Sequence, residues 1–293
     1  MRDLGYQPNL SARRLRSQEN ERPVIAFFWP LDYRVNILAS FLNCIQIEIA
    51  ESGFDCEMMI QTYENDKLEQ YGSAFSKNGY SGAIIGACSM KDQQWLESIS
   101  PRMPVALIND HRNIFPLSAQ ITRSCTDGCC QNTPERLYRS RNLRFQPCLH
   151  ATNRRVQAFI NSCEQLGIQI DEQYILKCPS TRNGGYGIGK QYASLTEPPK
   201  MIFCDSDAIA LGALRAFHEK GISVPKDAEM LSIGMLDPEA ASYYIPSLSV
   251  VEMPNKEIGQ QVIRLLRKKI LNNDPTPEHI DLHAKLILRE SFS

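Results

Sequence analysis

Asp205, Ser206 and Asp207 stand directly behind a four-residue apolar run, Met201-Ile202-Phe203-Cys204, and ahead of a helical pattern. Oxygen-bearing side chains at a strand-to-helix turn can cap the helix or hydrogen-bond a small polar molecule. Asp205 and Asp207 could ligate a metal, yet no third carboxylate or histidine stands near them. A second set of candidate ligands is Cys125-x3-Cys129-Cys130 with Cys148-x-His150. It offers thiolates and an imidazole, in a spacing that matches no standard zinc finger or ribbon. The run Gly184-Gly185-Tyr186-Gly187-Ile188-Gly189 invites a phosphate-loop reading. No recognisable strand leads into it, so it reads as an ordinary loop. His111, His150, His218, His279 and His283 are scattered, in no Ser/His/Asp, HExxH or nucleophile-elbow setting, and no enzyme is expected. No dinucleotide or P-loop motif follows a strand, and no cofactor or metal is expected.

The elements that must position these residues alternate along the chain. Val24-Ile25-Ala26-Phe27-Phe28 reads as a buried strand, followed by a loop through Tyr33 and a helix carrying Leu38, Phe41, Leu42, Ile45 and Ile49. Cys56, Met58 and Ile60 mark an alternating strand, and Leu68, Tyr71 and Phe75 a helix. Ala83-Ile84-Ile85-Gly86 and Pro104-Val105-Ala106-Leu107-Ile108 read as the third and fourth strands. Beyond 153, Val156, Phe159, Ile160, Cys163 and Leu166 form a helical stripe. Met201-Ile202-Phe203-Cys204 opens a strand, helix, strand unit: Ala210, Leu211, Leu214 and Phe217 recur at helical spacing, Gly221 stops the helix, and Met230-Leu231-Ser232-Ile233-Gly234 is the next strand. Ile258, Val262, Leu265 and Leu266 mark a late amphipathic helix. Strands alternating with amphipathic helices imply an α/β fold with parallel sheets.

Composition is that of an ordinary folded protein. With 43% hydrophobic residues, 22% charged and a formal net charge of -1, the chain does not grip nucleic acid over its whole surface, although a small basic element is compatible with it. The first residues lack a secretory h-region, no apolar run reaches bilayer length, and ten cysteines then imply reduced thiols in a cytoplasm.

The stretch PKMIFCDSDAIALGALRAFHEKGISVPKDAEMLSIGMLDPEAASYYIPSLSVV resembles the effector-binding core of the LacI/GalR (lactose repressor) family of bacterial transcription regulators. The SDxIALGALRA helix start, the GISVPKD turn and the IPSLSVV return carry the resemblance, and Leu286-Ile287-Leu288-Arg289-Glu290-Ser291 is similar to the family's closing segment. It implies a periplasmic-binding-protein-like fold: two doubly wound parallel-sheet subdomains, about an interdomain ligand cleft. They would comprise 23–150 plus 252–274 and 151–251 plus 275–293. It also implies a homodimer joined by the helices of Leu38 to Ile49 and Ile258 to Leu266, with Ile47 and Ile263 as apolar residues in excess of one buried stripe.

The resemblance implies the site residues too. Arg155, in an Arg-Val-Gln-Ala-Phe segment similar to the family's Arg-x-x-Gly-Phe, would fork hydrogen bonds to effector. Ser206 and Asp207 would join it, with Asp207 equally readable as a helix cap. Asp237, one residue beyond the family's ligand-binding aspartate position (here Leu236), Asn109 at a strand end, and Tyr33 and Asn36 after the first strand complete the set. The 1–22 segment, with LGYQPNLSARRL, resembles the family's hinge helix. Asn9 or Ser11 would cap it, Ala12 and Leu15 would enter the operator minor groove, and Arg13 and Arg14 would contact phosphates. A helix-turn-helix headpiece of roughly fifty residues would precede it, and without one operator affinity should be weak. The expected function is a ligand-responsive, cytoplasmic transcription regulator, a repressor, with a sugar or related metabolite as effector. A binding protein without DNA-binding activity, or a non-functional frame-shifted remnant, are the alternatives.

The interval 118–150 breaks the pattern. It has no amphipathic period, four cysteines, five arginines and few aliphatic residues. A long loop, a zinc site, and a pair of compensating frame shifts all remain open readings of it.

Overall fold

The computed structural model describes residues 22–32, 35–76, 80–99, 101–109, 119–124, 160, 174–234, 239–274 and 276–292. The chain divides into two compact units: unit 1, Met1–Arg123 with Asn255–Leu282, and unit 2, Ser124–Pro254 with His283–Ser293.

In unit 1 the strands are β1 (Val24–Pro30), β2 (Glu57–Tyr63), β3 (Gly82–Gly86), β4 (Val105–Asn109), β5 (Ala119–Ser124) and β9 (Glu278–His283). They form one sheet in the order β2-β1-β3-β4-β5-β9, and the β1–β2, β1–β3, β3–β4 and β4–β5 pairs are all parallel. The helices are α1 (Val35–Ser52), the short α2 (Gly72–Ser76), α3 (Met90–Ser98) and α6 (Asn255–Asn272). Parallel strands need crossover connections, and those helices cover both faces.

Strand β1 explains why its apolar run is unbroken. Ala26 and Phe28 point into one core with Phe75, Ile85, Leu96 and Leu107. Phe27 and Trp29 point the other way, in edge-to-face contact with each other at 5.7 Å, and Trp29 meets Phe41 of α1. Gly86 makes room for that indole: a Cβ there would lie 2.6 Å from Trp29. A strand buried on both faces has no polar alternation to show.

Unit 2 has β6 (Met201–Cys204), β7 (Glu229–Gly234), β8 (Ser249–Glu252) and β10 (Lys285–Ile287), with α4 (Arg182–Ala193) and α5 (Asp207–Lys220). The sheet order is β10-β8-β7-β6; β6–β7 and β7–β8 are parallel, and β10 runs antiparallel to β8. The closing segment is then pinned by hydrogen bonds. Ser291 Oγ accepts from Ser249 N at 2.8 Å and donates to Met230 O at 2.7 Å, while Ser247 N donates to a Glu290 carboxylate oxygen at 2.8 Å.

Three expectations need correction, and one open interval gains an element. The glycine run 184–189 is not a loop but the body of α4. The helix expected over Leu68, Tyr71 and Phe75 is a 3-10 turn (Leu68–Tyr71) followed by one short turn of α-helix. The interval 118–150, which shows no amphipathic period in the sequence, begins with β5, in parallel register with β4 from Ala106–Ala119 to Asn109–Thr122. Ile263 is fully buried, because α6 packs against both the sheet and α1 and so buries Ile258, Val262, Ile263, Leu265 and Leu266 over a wide arc.

Candidate functional site

The polar side chains at the carboxyl end of β6 form the candidate site in unit 2. Strand β6 is apolar and buried, and the chain must turn sharply to start α5. Ser206, in extended conformation (φ -158°, ψ 136°), is the N-cap: its Oγ accepts from Ala208 N at 3.2 Å, and its carbonyl accepts from Ile209 N and Ala210 N. Asp207 Oδ1 accepts from the same Ala208 N at 3.0 Å. Both side chains are buried, at 0% and 2% exposure, and Asp207 places negative charge in the first helical turn, where the peptide dipoles favour it. Asp205 beside them is also buried.

Three buried polar residues in a row at a parallel strand's carboxyl end are an expensive arrangement for a fold to keep without use. Open α/β sheets bind their ligands at that end. Burial, then the Asp205 carboxylate, then the nearby Cys178 thiol push the Cys204 thiol well above its usual range, so Cys204 is an inert core thiol. Cys178 places the 178–181 turn beside β6.

That turn carries a residue that sequence reasoning missed. Ser180 is 6% exposed, and its Oγ has no hydrogen-bond partner among the described residues. Its neighbour Thr181 caps α4 by accepting from Gly184 N at 3.0 Å. The signal was present as Thr181 followed by a helix, but it is legible only once the glycine run is known to be helical.

The glycines bring the two helix starts together. A Cβ on Gly185 would meet the Ile209 carbonyl oxygen at 2.1 Å, and one on Gly212 would meet the Arg182 carbonyl oxygen at 2.0 Å. The early turns of α4 and α5 therefore lie backbone to backbone, each just after its capping residue, Thr181 and Ser206.

Among the other expected residues, Asn36 falls in the first turn of α1, behind β1, and Asn109 closes β4 opposite Thr122. Both backbone positions are at carboxyl ends of unit 1 strands. Tyr33, Arg155 and Asp237 lie outside the described residues, as do the hinge positions Asn9, Ala12, Arg13 and Leu15. No group of three metal-ligating side chains occurs among the described residues, and no described helix is long and apolar enough to cross a membrane.

The periplasmic binding protein-like domain profile matches residues 145–292. The HTH-type transcriptional repressor PurR of Escherichia coli O1:K1 is 31% identical over 139 residues, which are 47% of this chain and 40% of that protein. The chain thus spans well under two thirds of the curated relatives it matches. A LacI family transcription regulator from Clostridium acetobutylicum superposes with a TM-score of 0.82 at 28% identity, over 92% of this chain and 100% of that one. A LacI family regulator from Enterococcus faecium with bound ribose has the same fold, with a TM-score of 0.72 at 17% identity over 92% and 98% of the two chains.

Proposed function

Because this chain belongs to the periplasmic-binding-protein-like domain family, in its LacI/GalR regulator branch, we propose that it is a ligand-responsive transcription regulator, acting as a repressor. The observation that carries the reading is the run of buried polar residues Asp205, Ser206 and Asp207 at the carboxyl end of β6, with the buried Ser180 in the turn that starts α4. Hydroxyl and carboxylate groups at that position suit a ligand rich in hydroxyls, and a sugar or related metabolite is the proposed effector class.

Arg155 supplies the charged fork of the proposed site, with Asp237, Tyr33, Asn36 and Asn109 as further contacts. The first 22 residues serve as the hinge, Asn9 capping it and Ala12, Arg13 and Leu15 meeting operator DNA. Effector binding shifts a two-state equilibrium in which the hinge is ordered or melted, and operator affinity follows. Regulation of DNA places the protein in the cytoplasm. The proposed assembly is a homodimer. With Ile263 consumed by its own unit, Ile47 on α1 (41% exposed) and Ile60 on the edge strand β2 (51% exposed) are among the exposed apolar residues a partner copy would cover.

The test is a thermal-shift screen of the 293-residue protein against sugars, sugar phosphates and nucleosides. A ligand at a hundred times its Kd stabilises by about 2.7 kcal/mol, raising the melting temperature by several degrees. A screen in which no metabolite raises the melting temperature contradicts the reading.

A further inference from the structure

We propose that Asp92 is a positioning residue for effector binding: buried in unit 1, it locks the turn after β2 to the turn after β3, and effector affinity depends on that lock. The inference rests on the effector-binding reading above and adds to it a residue that touches no effector. Asp92 is in the first turn of α3 and 1% exposed. Its Oδ1 accepts from Leu68 N at 2.9 Å, and its Oδ2 accepts from Asp66 N at 3.0 Å and from Ser89 Oγ at 3.0 Å. Ser89 caps α3, accepting from Asp92 N at 3.1 Å. In a capping box the acidic residue would reach back to the cap's own backbone N–H. Here both carboxylate oxygens reach the turn after β2, about two dozen residues away in sequence, so the side chain does more than cap.

Both turns are held in uncommon backbone conformations. Asp66 has φ +64° and Ala87 has φ +53°, left-handed values that non-glycine residues keep only when their surroundings impose them. The buried carboxylate bonds Asp66 directly and reaches the second turn through Ser89, so moving either turn would leave it short of hydrogen bonds in a dry interior. The two turns extend from the carboxyl ends of β2 and β3, the parallel strands on either side of β1, where open α/β sheets present residues to ligand. A residue that fixes such turns fixes the contacts they make.

The experiment compares the intact protein with Asp92→Asn and with Ser81→Ala. Ser81 Oγ accepts from Val24 N at 3.1 Å at the opposite, amino end of the same sheet, so Ser81→Ala is a control for general destabilisation. In the absence of ligand, hydrogen exchange in Asp92→Asn should quicken in both the 64–68 and the 87–89 turns. Quickening in one turn alone overturns the lock. Calorimetric titration with the metabolite found in the thermal-shift screen should show roughly tenfold weaker binding for Asp92→Asn and unchanged binding for Ser81→Ala. Equal affinity for Asp92→Asn and the parent overturns the proposal while leaving the effector reading intact. Failure of the parent to bind any metabolite overturns both.

Discussion

The carbonyl oxygen of Ile209 lies 2.1 Å from where a Cβ on Gly185 would sit, so α4 and α5 touch through their backbones at this point. Only glycine permits it, and the helix-breaking cost of glycine is offset by the approach it allows. Gly187, two residues on, has nothing within 4 Å of its would-be Cβ. Alanine should therefore act oppositely at the two positions. Gly185→Ala should lose roughly 1–3 kcal/mol through overpacking, despite the better helix propensity of alanine. Gly187→Ala should gain about 0.5–1 kcal/mol. Urea unfolding of the pair checks this, and a stable Gly185→Ala would mean the helices are not in backbone contact.

Ser206 links local structure to the site. Ser206→Ala removes the N-cap of α5 and should cost about 1 kcal/mol. If its hydroxyl also meets effector, affinity falls further than destabilisation explains. Melting curves with and without ligand separate the two effects: the ligand-induced shift should shrink in Ser206→Ala.

The strand–helix–strand unit around β6 was legible because each boundary has a local cause. The apolar run ends at Asp205, Ser206 caps, and Gly221 in the left-handed region (φ +72°) closes α5. The glycine run was not legible, because its local propensity favours a loop and only the packing against α5 makes it helical. Ile263 was misjudged for a related reason: a single helical stripe is the usual pattern, and α6 has two neighbours to satisfy. Ser206 and Asp207 are legible as candidates from their place behind a strand, and the structure shows them buried there. Ser180 was missed because a buried serine and a loop serine look alike until the fold is known.

Glu290 carries a pH dependence. Hydrogen bonds from the Ser247 backbone, then from its hydroxyl, hold this exposed carboxyl below its ordinary value of 4.5. A depressed carboxyl contributes stability above the unfolded value and loses it as pH falls through the folded one. Glu290→Gln should thus be less stable than the parent at pH 7, and the difference should close below about pH 4. Denaturant midpoints at the two pH values test it; a constant difference would place the effect elsewhere.

The homodimer proposal is open to a direct check. Ile60→Glu on the exposed face of the edge strand β2 should leave folding unchanged and weaken self-association. Sedimentation of parent and variant at micromolar concentration reads the result, and a parent that is a folded monomer there argues against the assembly.

If Arg155 and Asp207 share one metabolite site as proposed, Arg155→Ala is the sharpest single probe of it, read by calorimetric titration. Losing two charge-assisted hydrogen bonds costs roughly 3 kcal/mol, more than about a hundredfold in affinity. That loss should come with an unchanged ligand-free melting temperature. Parent-like affinity in Arg155→Ala would contradict it.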